Sequence, residues 1–171
     1  MNKGKIIKIE PCSVSNGIGC RVVVWFDYCP HHCKGCQNQE TWNGTLGHTF
    51  TYDDLLIIEK YLDKPYIKGI TFSGGEPLCK RNKGVVGIIS TLVKYQFSDK
   101  DIWCYTGYKY EEVKSIVDIY NIDYLVDGKY IEEQRDVTLA FRGSLNQRII
   151  DVKRSEEAGK VIEVDYAQFE R

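Results

Sequence analysis

Cys29, Cys33 and Cys36 fall within eight residues, in the run Cys29-Pro30-His31-His32-Cys33-Lys34-Gly35-Cys36, a C-x3-C-x2-C spacing. Three thiolates on so tight a loop can converge on one soft metal centre, with Pro30 and Gly35 helping the backbone fold round it. Structural zinc normally takes four protein ligands, and His31, His32 or His48 would have to supply the last. A cubane iron–sulfur cluster is usually held by four cysteines. Held by three, it keeps one iron without a protein ligand, and that vacancy makes the cluster a reagent as well as an electron store. Spacing alone puts the cluster modestly ahead of zinc.

The other thiols, Cys12, Cys20, Cys79 and Cys104, are scattered, and the total of seven is odd. With no secretory context to support a disulfide framework, they read as small buried hydrophobes without a catalytic role. A second candidate is Ser73-Gly74-Gly75-Glu76-Pro77. Its glycines would let a ligand approach the backbone, and a carboxylate beside exposed carbonyls suits an ammonium group. Taken alone it is equally a plain strand-to-helix turn.

The elements that must position these groups follow from apolar periodicity. Arg21 to Phe26 is a short β-branched run, the pattern of a strand buried on both faces, and a polar loop follows from Asp27 to about Phe50. Thr51 with Asp54 three residues on opens a helix through Leu55, Ile58 and Leu62, ended by Pro65. Ile67 to Phe72, Asp101 to Tyr105, Ile122 to Val126 and Gln147 to Val152 read as further strands. Between them, Val85, Ile88, Ile89, Leu92 and Val93 trace one helix face, and Tyr110, Val113, Ile116, Val117 and Tyr120 another. Strands alternating with helices imply right-handed βαβ units and a parallel sheet. About five such units are too few to close an eight-stranded barrel. The fold class expected is therefore α/β, a partial, open (β/α) barrel with a curled, mainly parallel sheet. Ligands of such sheets sit beyond the carboxyl ends of the strands. The cysteine loop, the Gly-Gly-Glu-Pro loop, Thr106-Gly107-Tyr108 and Asp127-Gly128-Lys129 all follow predicted strands, so they share one rim.

With 171 residues the chain reads as one domain, 1–171, with a core of about 16–152 and a charged tail over 153–171. A net charge of −1, from 23 basic and 24 acidic side chains, excludes a strong field for gripping nucleic acid or an anionic membrane. No apolar run approaches the roughly 20 residues of a spanning helix, and residues 1–5 lack a signal-peptide pattern. A soluble, cytoplasmic protein is expected.

The cysteine triplet and the Gly-Gly-Glu-Pro loop together resemble the radical S-adenosylmethionine (SAM) superfamily. The chain is more closely similar to one family within it, the activating component of anaerobic (class III) ribonucleoside-triphosphate reductase. Segments in family order are Asn16 to Arg21, Cys29 to Cys36 with Asn38, Thr41-Trp42, Ser73 to Leu78, Lys100 to Trp103, Thr106 to Tyr108, Leu125 to Lys129 and Arg142 to Arg148. They span roughly residues 16–150. Two positions depart from the pattern: Tyr28 where glycine is common, and Gln37 where an aromatic is common.

The resemblance implies that Cys29, Cys33 and Cys36 hold a 4Fe–4S cluster whose open iron is chelated by the amino and carboxylate groups of SAM. Ser73, Gly74, Gly75 and Glu76 would receive the methionine ammonium. Reductive cleavage would give methionine and a 5′-deoxyadenosyl radical, which takes hydrogen from a glycine Cα on the large catalytic subunit of the reductase. No catalytic residue beyond cluster and SAM is implied. Asp127 and Lys129 would hydrogen-bond the ribose or the SAM carboxylate, or else form a solvated turn; Thr106, with Gly107 and Tyr108, would line the adenosine side, or else cap a helix. Arg142 and Asn146 read as structural anchors or partner contacts. A low-potential donor such as flavodoxin or ferredoxin would supply the electron. The rivals are a small-molecule radical SAM enzyme of the deazaguanine-synthase type and a zinc-stabilised binding module.

Overall fold

The structure is a computed structural model that describes residues 4–164, with only the backbone of residues 117–119. Seven strands form one sheet: β1 (Lys5–Ser13), β2 (Cys20–Phe26), β3 (His48–Thr49), β4 (Ile67–Gly74), β5 (Asp101–Tyr105), β6 (Tyr124–Asp127) and β7 (Arg148–Asp151). Four helices accompany them: α1 (Tyr52–Leu62), α2 (Lys83–Gln96), α3 (Tyr110–Ile119) and α4 (Val152–Ala158). Strand order is β3-β1-β2-β4-β5-β6-β7.

The centre, β2-β4-β5-β6, is parallel, as the alternation of strands and helices requires. The edges differ from the expectation of a mainly parallel sheet. β1 runs antiparallel to β2 and to β3, and β7 runs antiparallel to β6. The cause lies in the connections. Only six residues, 14–19, join β1 to β2, enough for a hairpin and too few for a crossover. Residues 128–147 hold no α-helix that could carry the chain back over the sheet, so β7 returns beside β6 in the opposite sense.

Pleating sends alternate residues to opposite faces. Val22, Val24 and Phe26, Ile70 and Phe72, Ile102 and Cys104, Leu125 and Ile150 point to one side, where they pack with Ile58, Leu62, Val86, Ile89 and Val93 of the helices. On the other side Trp103, Val126 and Ile149 make a small cluster with Ile18, Tyr124, Phe141 and Val164. Arg21 lies fully buried on that second face, bonded to Thr71 Oγ1 at 2.8 Å and to the Ile18, Ile70 and Asp101 carbonyls. Burial lowers its pKa, opposed by the carboxylate of Asp101.

α1 starts as expected: Thr51 Oγ1 accepts from Asp54 N, and Asp54 Oδ2 accepts from Thr51 N at 2.8 Å, a reciprocal capping box. On α2 the buried stripe is Val85, Val86, Ile89, Ser90 and Val93, so Ile88 points outward and is 53% exposed, contrary to expectation. Val117, expected on the buried face of α3, has its side chain outside the described residues. The tail is partly tied down, since Val164 N donates to Ile149 O at 2.8 Å; residues 165–171 lie outside the described residues.

Two of the scattered cysteines were expected as free thiols, and the structure corrects this: Cys12 and Cys20 form a disulfide across the β1–β2 hairpin. The antiparallel register, with Ser13 opposite Arg21, brings their Cα atoms within 5.3 Å. Cys79 and Cys104 are free and buried, and burial raises the pKa of both thiols. No helix among the described residues is long and apolar enough to cross a membrane.

Candidate functional site

The parallel pairing of β2 with β4 continues past the strand ends and knits two loops together. Gly75 N donates to Phe26 O and Glu76 N to Tyr28 O, both at 2.8 Å. A Cβ on Gly75 would lie 2.4 Å from Tyr28 O, and one on Gly74, at φ +99°, 2.7 Å from Phe26 O. The two glycines therefore admit the backbone of the cysteine loop itself. Asn38 Nδ2 reaches Gly74 O at 3.3 Å, and buried Asn82 donates to Asp27 O and Glu76 O, adding further ties.

The three cysteines sit half-buried on the loop after β2. Asn38 N donates to Cys36 Sγ at 3.4 Å. Burial pushes the Cys29 thiol up to about 11 and raises Cys33 as well, the latter opposed by the nearby Lys129 charge. Thiolates with amide hydrogen bonds are the donor set of an iron–sulfur cluster, whose potential such bonds tune.

The histidines near the cysteines have contacts of their own. His31 Nε2 bonds Glu76 Oε2 at 2.7 Å, His32 stacks on Trp42 at 4.8 Å, and His48 Nε2 bonds Asp54 Oδ1 at 3.0 Å. Each of the three histidines thus has a partner within the fold. Among the described residues no three His, Cys, Asp or Glu side chains gather as ligands of a metal ion; the three cysteine sulfurs would have to draw together for zinc and for a cluster alike.

Glu76 is fully buried and receives four donors. Thr106 Oγ1 and Leu78 N bond Oε1 at 2.8 and 2.9 Å; His31 Nε2 and Gly107 N both bond Oε2 at 2.7 Å. Thr106 is thus held against Glu76, and its hydroxyl also accepts from Tyr108 N at 3.2 Å.

Asp127 is likewise buried, bonded by Arg148 Nε at 3.0 Å and by Tyr110 N, at the start of α3, at 2.8 Å. Lys129 is exposed. Asp127 and Lys129 line a cleft of about 770 Å3 with Gly107, Asn146 and Arg148. A separate cleft of about 470 Å3 opens on the helix-free face, where Cys36, Asn38 and Ser73 meet the aromatic residues Trp25, Tyr105, Tyr130 and Phe141. Ser73 and Cys36 are the predicted site residues that reach it; Glu76 and Thr106 do not line it.

Residues 142–148 fold as a self-bonded turn. Gln147 Oε1 accepts from Gly143 N and Ser144 N, Arg142 Nη1 donates to Gln147 O at 2.9 Å, and Asn146 Nδ2 to Lys129 O at 2.8 Å. Arg142 and Asn146 are therefore anchors of the loop that walls the cleft. His31, Asn38 and Arg148 carry contacts that sequence reasoning did not assign. Signals existed for all three: His31 lies centrally between two of the cysteines, and Asn38 and Arg148 lie in segments that carry the family resemblance.

Residues 15–150 match the family model described as a 4Fe-4S single cluster domain. The chain is 41% identical over 142 residues to the anaerobic ribonucleoside-triphosphate reductase-activating protein of Enterobacteria phage T4, covering 83% of this chain and 90% of the relative. It is 41% identical to the protein so named from Haemophilus influenzae, covering 84% and 95%, and 40% identical to that of Vibrio cholerae, covering 81% and 92%. The chain belongs to the anaerobic ribonucleoside-triphosphate reductase-activating protein family. As a member of that family it carries Tyr28 at φ +80°, in the left-handed region, where glycine is unstrained. The Arg81 guanidinium lies 5.1 Å over the Tyr28 ring and packs against it.

Proposed function

We propose that this chain is a radical SAM enzyme of the cytoplasm that generates a glycyl radical on the large subunit of an anaerobic ribonucleotide reductase. The observation that carries the reading is the loop of three half-buried cysteines after β2, with Asn38 N bonded to Cys36 Sγ and Cys36 lining an aromatic cleft. Cys29, Cys33 and Cys36 would hold the cluster. When bound, the cluster supplies an electron that divides SAM into methionine and a 5′-deoxyadenosyl radical able to take hydrogen from a glycine Cα.

The chain's own residues bind and orient. Asn38 joins the two loops through Gly74 O, so that the cysteines and the strand end move as one unit. Ser73 presents a hydroxyl to the cleft beside Cys36, suited to the methionine end of SAM. Trp25, Tyr105, Tyr130 and Phe141 offer apolar faces to an adenine ring and restrict water. Lys129, an exposed ammonium group whose charge reaches Cys33, suits a carboxylate. The parallel centre of the sheet, with these loops at its carboxyl rim, supports the partial-barrel architecture of the superfamily. A donor of the flavodoxin or ferredoxin kind would reduce the site.

The test is product analysis. The anaerobically reconstituted chain, given dithionite and SAM, should release 5′-deoxyadenosine, and with the reductase subunit present a glycyl radical should form on that subunit. A loaded protein that releases no 5′-deoxyadenosine refutes the reading.

A further inference from the structure

We propose that Glu76 and His31 are positioning residues: together they clamp the cysteine loop, and Ser73, not Glu76, is the side chain of the Gly-Gly-Glu-Pro loop that meets SAM. The inference rests on the proposed function for the identity of the ligand, but the clamp is read from this chain's contacts alone.

Glu76 has no carboxylate oxygen left to offer. Each oxygen already accepts two hydrogen bonds of 2.7–2.9 Å, and its side chain is 1% exposed. The donors come from three places: the turn after β4 (Leu78), the loop after β5 (Thr106 and Gly107) and the cysteine loop (His31). One buried carboxylate thus ties together three loops of the rim. An ammonium group would have to displace one of these donors to reach it.

His31 is the arm that reaches the cysteines. It sits two residues after Cys29 and two before Cys33. Because a carboxylate only accepts, the proton between the two groups sits on His31 Nε2. The imidazole lies directly on Gly107, where a Cβ would be 2.3 Å from its Cδ2, and edge-on to Tyr108 at 4.6 Å. Only 7% of the side chain is exposed. Fixing the ring therefore fixes the backbone between two of the cysteines. Ser73, in contrast, lines the cleft beside Cys36 and Asn38.

The experiment uses the full chain, reconstituted anaerobically, as wild type and as Glu76→Gln, His31→Ala, His31→Gln and Ser73→Ala. Two quantities are read: the rate at which an iron chelator strips the cluster, and the SAM dissociation constant of the loaded fraction, from the change SAM causes in the reduced-cluster paramagnetic resonance spectrum. Supports of metal ligands are worth about 10–100-fold. Glu76→Gln and His31→Ala should lose the cluster faster by that factor, with the SAM constant changed by less than about threefold. His31→Gln, whose amide still donates to Glu76, should restore most of the retention, which a general loss of packing would not. Ser73→Ala should keep the cluster and weaken SAM about tenfold, the worth of one hydrogen bond to a charged group. Should Glu76→Gln fail to accumulate, the two His31 variants decide. A durable cluster in Glu76→Gln or His31→Ala, or SAM weakened some thirtyfold in the loaded Glu76→Gln protein, overturns the proposal. If SAM leaves the wild-type spectrum unchanged, the proposed function fails, and cluster retention still decides the clamp.

Discussion

Replacing Gly75 by alanine should separate the two loops that form the site. The added Cβ would lie 2.4 Å from Tyr28 O and 2.8 Å from Tyr28 C, both main-chain atoms, whereas ordinary contact begins at 3.4 Å. The loops must therefore part by about 1 Å, the difference between 3.4 and 2.4. Overpacking of this kind costs about 1–3 kcal/mol. The bonds Gly75 N to Phe26 O and Glu76 N to Tyr28 O stretch with it, at about 1 kcal/mol each. The sum is about 3–5 kcal/mol, or roughly 6–20 °C in Tm for a domain of this size. Thermal unfolding of the metal-free chain by circular dichroism reads the stability, and iron content after reconstitution reads the site. Gly84→Ala is the control, because nothing lies within 4 Å of a Cβ there, in the first turn of α2; it should stabilise by about 0.5–1 kcal/mol. A Gly75→Ala protein with unchanged Tm and full iron loading would refute the reasoning.

Thr51→Ala removes half of the capping box of α1 and should cost about 1 kcal/mol in urea unfolding; no change would mean that the box is redundant. Reducing the Cys12–Cys20 disulfide opens a short loop and should lower stability by about 2–3 kcal/mol, seen as a lower Tm with a phosphine reductant and absent in a Cys12→Ser/Cys20→Ser protein. Glu111 is held below the ordinary carboxylate range by its hydrogen bonds to Arg148. Its contribution is complete above the unfolded pKa of about 4.3 and is lost as pH falls through the lower folded value. Because the side chain is 56% exposed, the gain is at most about 0.5 kcal/mol; Glu111→Gln should be less stable than wild type by that much at pH 6, and the gap should close on acidification.

Much of the site was legible because each candidate loop follows a strand of the parallel centre, and parallel strands deliver their loops to one rim. The cysteine spacing and the Thr51–Asp54 cap needed only local chemistry. What sequence could not yield depended on partners far along the chain. β1 escaped because Lys5, Lys8 and Glu10 interrupt its apolar pattern, and without β1 the Cys12–Cys20 proximity could not be inferred. Gly74 and Gly75 were read as room for a ligand, and the backbones of Phe26 and Tyr28, which lie where a Cβ would stand, could not be seen from sequence. Glu76 was read as a carboxylate for an ammonium group, and its partners His31, Thr106 and Gly107 were not visible because they lie 45, 30 and 31 residues away. The Ile88 face was misplaced because an apolar residue at the right spacing need not lie on the buried stripe.

A cluster held by three cysteines would leave its fourth iron open to SAM. Paramagnetic resonance of the reduced, reconstituted chain with SAM labelled at the methionine nitrogen and carboxylate oxygens tests this directly. Magnetic coupling of those labels to the cluster is the result predicted. A cluster signal blind to SAM and its labels, or a colourless protein holding a single zinc, would contradict it.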